Sequence, residues 1–188
     1  MPTDPIQPDE TLLATGFTVA DYRRAIAMRD RNRIAEAIEI RFSERYIVPA
    51  TTGQKHGFAI IAISCLLLEA LESFLRGWKK STRQSETLFV EFLDREPEFS
   101  SFRGRGSEFF RNVRCGILHQ GETTNGWRIR RSGPLFDGDR TINAIGFIRA
   151  LERVLKRHCA ELRAAHWGSK PWGKARRKMD HICHNCNA

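Results

Sequence analysis

Apolar residues recur at helical spacing along most of the chain. Between Arg31 and Tyr46, the residues Ile34, Ile38 and Phe42 recur every four positions with charges between them. This predicts an amphipathic helix that ends before Pro49. Ahead of it, Thr18 and Asp21 form a capping-box-like pair that opens a short helix through Met28. The longest apolar run, Gly57 to Leu68, is twelve residues. It opens a helix from about Phe58 to Arg76 that is apolar nearly all round, the signature of a bundle's central helix. Roughly 20 residues are needed to cross a bilayer, so no membrane span is predicted. Ser85 begins a helix with Leu88, Phe89, Phe92 and Leu93 on one side. Ser107 begins another with Phe110, Val113 and Ile117, closed by a left-handed turn at Gly121. Between Gly121 and Asn143 the period changes, with Trp127-Arg128-Ile129-Arg130 alternating and Ser132-Gly133-Pro134 and Asp137-Gly138 reading as turns. Asn143 then caps a last helix striped by Ile148, Leu151, Leu155, Cys159 and Leu162.

These elements predict an all-α fold, a helical bundle of five to six helices with a small β-hairpin or extended insertion before the last one. Residues 1–16 read as a flexible N-terminal arm and 17–166 as the helical domain. Residues 167–188 read as a basic, Cys/His-containing tail without periodicity. The chain carries +9 at neutral pH, of which the tail supplies +4 from five Lys or Arg and one Asp. A positive balance favours anionic partners such as nucleic acid, although the body is only mildly basic. Of the five cysteines, Cys65, Cys115 and Cys159 fall in apolar helical patterns as small hydrophobes. Together with an acidic, Pro-rich N-terminus lacking signal-peptide character, this points to a reducing cytoplasm.

The candidate chemistry lies in the Ser107 helix, where Arg114 and His119 are separated by four residues and Glu122 follows. His suits proton transfer near neutral pH, and the planar guanidinium of Arg matches phosphate oxygens. Five residues along an ideal helix amount to ~500° of rotation, which leaves the two about 140° apart around the axis. One copy therefore does not bring the pair together. Gly116 between them reads as a place where a second helix could approach.

The run Arg114-Cys115-Gly116-Ile117-Leu118-His119, in a late helix of a small all-α bundle, resembles the Arg-x4-His motif of the HEPN superfamily. The resemblance covers the bundle loosely from about Arg31 to His166. It implies a metal-independent endoribonuclease, leaving 2′,3′-cyclic phosphate ends, in a toxin or phage-defence role. It also implies a homodimer whose Arg and His meet at the subunit interface, RNA as substrate, and an antitoxin or nucleotidyltransferase as a possible partner. In that family a polar residue often follows the motif Arg, whereas here the position is Cys115, and Asn112 follows Arg111 instead. Two alternatives stay open: a non-catalytic HEPN-like module binding nucleotides or a partner protein, and a basic helical nucleic-acid-binding protein.

Supporting positions follow from proximity in sequence or chemistry. Asn112, Glu122, Glu69 and Glu72 are candidates to orient the pair, and Glu69, Glu72 or Glu122 could instead simply ion-pair Arg114. Lys55 and His56 at the start of the central helix could hold a phosphate. Arg103 and Arg105 in a Gly-rich loop, with Arg128 and Arg130 in the alternating segment, could contact an RNA backbone. His181, Cys183, His184 and Cys186 contain half of a zinc site, but six residues can hardly wrap four ligands around one ion. No metal or cofactor is expected: nothing resembles a P-loop, a dinucleotide fingerprint or a Ser-His-Asp triad.

Overall fold

The computed structural model describes residues 8–52, 56–79 and 84–186. It is an all-α bundle with two minor two-stranded sheets. Thr18 caps α1 (Val19–Met28) through a reciprocal pair of bonds: its hydroxyl accepts from the Asp21 N–H, and the Asp21 carboxylate accepts from the Thr18 N–H. Next comes α2 (Arg31–Phe42), which buries Ile34, Ile38 and Phe42. The helix does not stop ahead of Pro49 as its pattern predicts. It widens into a π-helical turn over Ser43–Ile47 and continues as α3 (Val48–Thr51). Pro49 lies in the first turn after that widening, where its missing N–H costs least.

The long helix α4 (Gly57–Arg76) is the centre of the bundle and packs against α5 (Ser85–Arg95), α8 (Ala144–Ala164) and α9 (Lys170–Cys186). On length and composition it could span a bilayer. Here its Ile60, Ile61, Leu67, Leu68 and Leu71 are buried against those neighbours. The predicted α8 stripe is buried throughout, and the Asn143 side chain accepts from the Gly146 N–H at 3.0 Å to cap that helix.

Three expectations are corrected. The first is the N-terminal arm, which is not loose through residue 16. Leu12–Ala14 (β1) pairs with Phe17–Thr18 (β2), burying Leu13, Ala14 and Phe17 on α2. The second is the hairpin alternative for the insertion, which is instead extended apart from one antiparallel bridge between Phe136 and Ile142. Arg128–Arg130 (β3) and Thr141–Asn143 (β4) run parallel, because the two turns lie within a ten-residue link that carries the chain back before it pairs. The third is the tail, which forms α9. Trp172, Ala175, Met179 and Cys183 recur at i, i+3, i+7 and i+11, and all four are buried.

A candidate site between the motif helix and the central helix

The motif segment is one continuous helix with a widened middle. It comprises α6 (Gly106–Phe109), a π-helical turn over Phe110–Arg114, and α7 (Cys115–Gln120), which closes at Gly121 with φ 70°. Ser107 does not cap it: its hydroxyl donates to Glu86 on α5 at 2.6 Å. The π turn shifts the phase of the apolar positions, so Phe109, Val113 and Gly116 are buried while Phe110 and Ile117 are only partly covered. Phe109 stacks on Phe147 of α8 with ring centres 5.2 Å apart, which anchors the segment to the core.

Arg114 ends the π turn half-buried. Its guanidinium lies over the Phe110 ring and reaches Glu69 Oε2 at 3.4 Å, while Glu69 Oε1 accepts from the Ser85 hydroxyl. Glu69 therefore belongs to the site. Glu72 does not, although it lies on the same helix. Its side chain is 0% exposed and held by Arg95 at 2.8 and 2.6 Å and by Arg76 at 2.5 Å. Burial alone would push the Glu72 carboxyl up, but the guanidiniums of Arg95 and then Arg76 outweigh it and hold the group below the usual carboxylate range.

His119 stands exposed in the last turn of α7 and makes no hydrogen bond or ion pair among the described residues. Nothing joins it to Arg114. Asn112 is occupied structurally: its amide donates to the Glu108 carbonyl at 2.9 Å and its side-chain oxygen accepts from Thr124 at 3.0 Å. The Glu122 carboxylate turns back on the Thr123 N–H, 2.9 Å away. The space beside Gly116 is not open to a second helix. A Cβ there would lie 2.5 Å from the Glu122 carbonyl oxygen, so the chain's own loop fills it.

The remaining candidates do not gather at this site. Arg105 pairs with Glu108, Arg128 with Asp139 and Arg130 with Asp137, each bracing its own loop. Arg103 is exposed, and so is His56 immediately before α4; Lys55 lies outside the described residues. His181, Cys183, His184 and Cys186 all fall on α9, with Cys183 turned into the core. Burial pushes the Cys183 thiol up to about 11, which disfavours the thiolate that a metal would need. Among the described residues no group of three or more His, Cys, Asp or Glu side chains is placed to hold an ion.

Arg114 separates two surface features that the chain pattern did not single out. On one side is an apolar depression of about 100 Å³ lined by Ala62, Cys65, Leu66, Ile117 and Leu118. Leu66 and Leu118 are 58% and 59% exposed. On the other side is an open groove of about 480 Å³ lined in part by Tyr46, Ser73, Lys79 and Lys178. Because α4 is apolar on nearly every side, sequence alone could not show that Phe58, Ala62 and Leu66 form its uncovered stripe. The periodicity of α9 was the available signal for Lys178, which lies just before buried Met179. Comparison with protein-family models, curated proteins and solved structures finds no match for this chain.

Proposed function

We propose that this chain is a HEPN-like, metal-independent endoribonuclease that works as a homodimer. The observation that carries this reading is the position of Arg114 at the rim of an exposed apolar face, with His119 free in solvent on the same short helix. The two groups have the chemistry for RNA cleavage but do not converge within one chain. Pairing the Leu66–Leu118 face of two copies would bury those side chains and bring one copy's Arg114 towards the other's His119. His119 would take the 2′-OH proton as the 2′-oxygen attacks phosphorus. The bond to the 5′-oxygen then breaks, and that oxygen takes a proton from water as it leaves. Arg114 would hold the phosphate oxygens as charge develops on them, a contribution often worth roughly 3 kcal/mol per donor. Glu69 would keep the guanidinium aimed between substrates.

One observation favours the non-catalytic alternative: the Arg114–Glu69 pair also makes sense as a structural contact. Cleavage of a mixed RNA pool separates the two readings. His119→Ala should lower the rate by roughly 10²–10⁴-fold with little change in RNA binding. Arg114→Lys keeps the charge but loses the planar fork, and should also lose most activity. Wild-type cleavage should persist in EDTA and leave 2′,3′-cyclic phosphate ends. A wild type that never cleaves, with both substitutions felt only in the melting temperature, would establish the structural role instead.

A further inference from the structure

The groove beside Arg114 is lined by two further cations, Lys79 and Lys178, and by one carboxylate, Glu69, which Arg114 engages. Arg76, Arg95, Arg128 and Arg157 each meet a carboxylate. Among the described residues Arg41, Arg45, Lys79 and Lys178 meet none. The Lys178 ammonium donates to neutral oxygens, the Ser73 hydroxyl at 3.0 Å and the carbonyls of Trp78 at 2.8 Å and Lys79 at 3.5 Å. Arg41 and Arg45 both donate to one carbonyl, that of Leu13, at 2.6 and 3.3 Å. Burial and then the nearby Arg41 hold the Lys178 ammonium below its ordinary value, and burial and then Arg45 do the same to Arg41. Like charges gathered in a half-buried place destabilise one another until an anion arrives. Tyr46 supplies an aromatic ring at the same wall, stacked at 6.2 Å on buried Phe42. Both Tyr46 and Arg114 sit in π-helical turns, which recur at functional sites.

We propose that this groove is the channel for a single-stranded RNA, with Lys79 and Lys178 holding phosphates next to the one at Arg114 and Tyr46 carrying a base. This rests on the ribonuclease reading for its substrate and adds α9 as an RNA-binding element. Arg41 and Arg45 are not part of the groove lining, but Arg41 is close enough to Lys178 to act on its charge, and Arg45 acts on Arg41 in turn. The volume of about 480 Å³ falls within the range of small-molecule sites.

The probe is a fluorescein-labelled oligouridylate of about 12 nucleotides with 2′-O-methyl sugars, which cannot be cleaved. Binding is followed by anisotropy from about 50 to 200 mM salt, a range over which phosphate contacts weaken steeply. Lys79→Gln and Lys178→Met should each weaken binding about five- to tenfold and reduce the salt slope by about 0.7, the value for one single-strand phosphate contact. Tyr46→Leu should weaken binding about tenfold and leave the slope unchanged, because stacking releases no counterion. Arg153→Gln is the charge control, exposed on α8, which contributes nothing to the groove lining. Lys79 is exposed and its side chain donates no hydrogen bond among the described residues, so its variant reads binding even if Lys178→Met loosens the fold. Equal effects of Lys79→Gln and Arg153→Gln would overturn the channel, whether or not the enzyme cleaves RNA. Groove variants that lose binding in a protein that never cleaves would instead uphold the channel and remove the ribonuclease. Tighter binding of duplex DNA of the same length would overturn the single-strand assignment.

Discussion

A methyl group added at Gly116 would meet the Glu122 carbonyl, and His158 is half-buried with its Nε2 covered and lacking a hydrogen bond. Each gives a prediction confined to one side chain. Gly116→Ala forces the 122–124 loop off α7 and should cost roughly 1–3 kcal/mol in chemical denaturation. A glycine reserved for a second subunit would instead change assembly and leave monomer stability alone. His158 faces Glu161 and Arg157 from its own helix. Around the same pocket stand Lys174 from α9, Arg76 from α4, Arg95 from α5 and Glu96 just beyond it. Burial pushes the imidazole down to about 4. A folded value below the unfolded 6.5 means that the neutral ring stabilises the fold above pH 6.5, and that this stability is lost as pH falls towards 4. The loss should approach on the order of 3 kcal/mol. Glu72 acts lower: its depressed carboxyl stabilises above about 4.5 and is lost only as pH drops further. The melting temperature should therefore begin to fall below pH 6.5, and His158→Gln should flatten the stretch between about 6.5 and 4.5. A slope there that survives the substitution would show that another group is responsible.

At the scale of elements, α9 is where composition and fold disagree most. Its Lys, Arg, Gly and Pro content reads as a solvated tail, yet its buried side chains dock it along α4. Trp172 is fully covered and its indole N–H donates to the Leu162 carbonyl at 2.8 Å. Tyr22 of α1 donates to Asp180 at 2.8 Å. Gly77, where α4 turns left-handed with φ 67°, lies so close to α9 that a Cβ would sit 2.8 Å from the Lys174 carbonyl oxygen. Removing residues 167–188 should thus lower the melting temperature sharply, and Trp172→Ala alone should cost about 3–5 kcal/mol. Thermal melts of the two proteins check this; an unchanged midpoint would mean that the helix is not docked in solution. A second disagreement lies in the insertion, where turn residues could be read but the direction of pairing could not. Parallel or antiparallel return depends on how the ten-residue link folds against the Pro97–Phe102 turn, through contacts such as Phe136 with Phe102 at 4.7 Å.

For the whole molecule the open question is what covers the Phe58–Leu66–Leu118 face. A homodimer built on that face predicts two copies of the 21.6 kDa chain by light scattering at micromolar concentration. Leu66→Glu would place two like charges in the contact. It should give monomers and abolish cleavage while leaving the melt of the subunit nearly unchanged, since Leu66 is already mostly exposed. A variant that stays dimeric would move the interface elsewhere and take the composite site with it.

The helical class, the central place of α4, the capping of α1 and α8, the α8 stripe and the end of the motif helix at Gly121 could all be read from the order of residues. All of these follow from short-range rules: apolar periodicity, a cap three residues from its partner, a left-handed glycine. That Arg114 and His119 do not meet within one chain was also legible, because spacing within one helix is local information. Which carboxylate meets Arg114 depends on packing between helices. Glu69 and Glu72 are three residues apart on one helix, but Arg95 and Arg76 claim Glu72 and leave Glu69 at the site. Packing likewise decided that Gly116 is filled from within, that α9 belongs to the core, and that Tyr46, Lys79 and Lys178 share one groove. Apart from Gly116 and its loop, those partners lie far apart in the chain, and no local pattern encodes such contacts; they arise when apolar faces compete for burial and the polar groups left at the edges find one another.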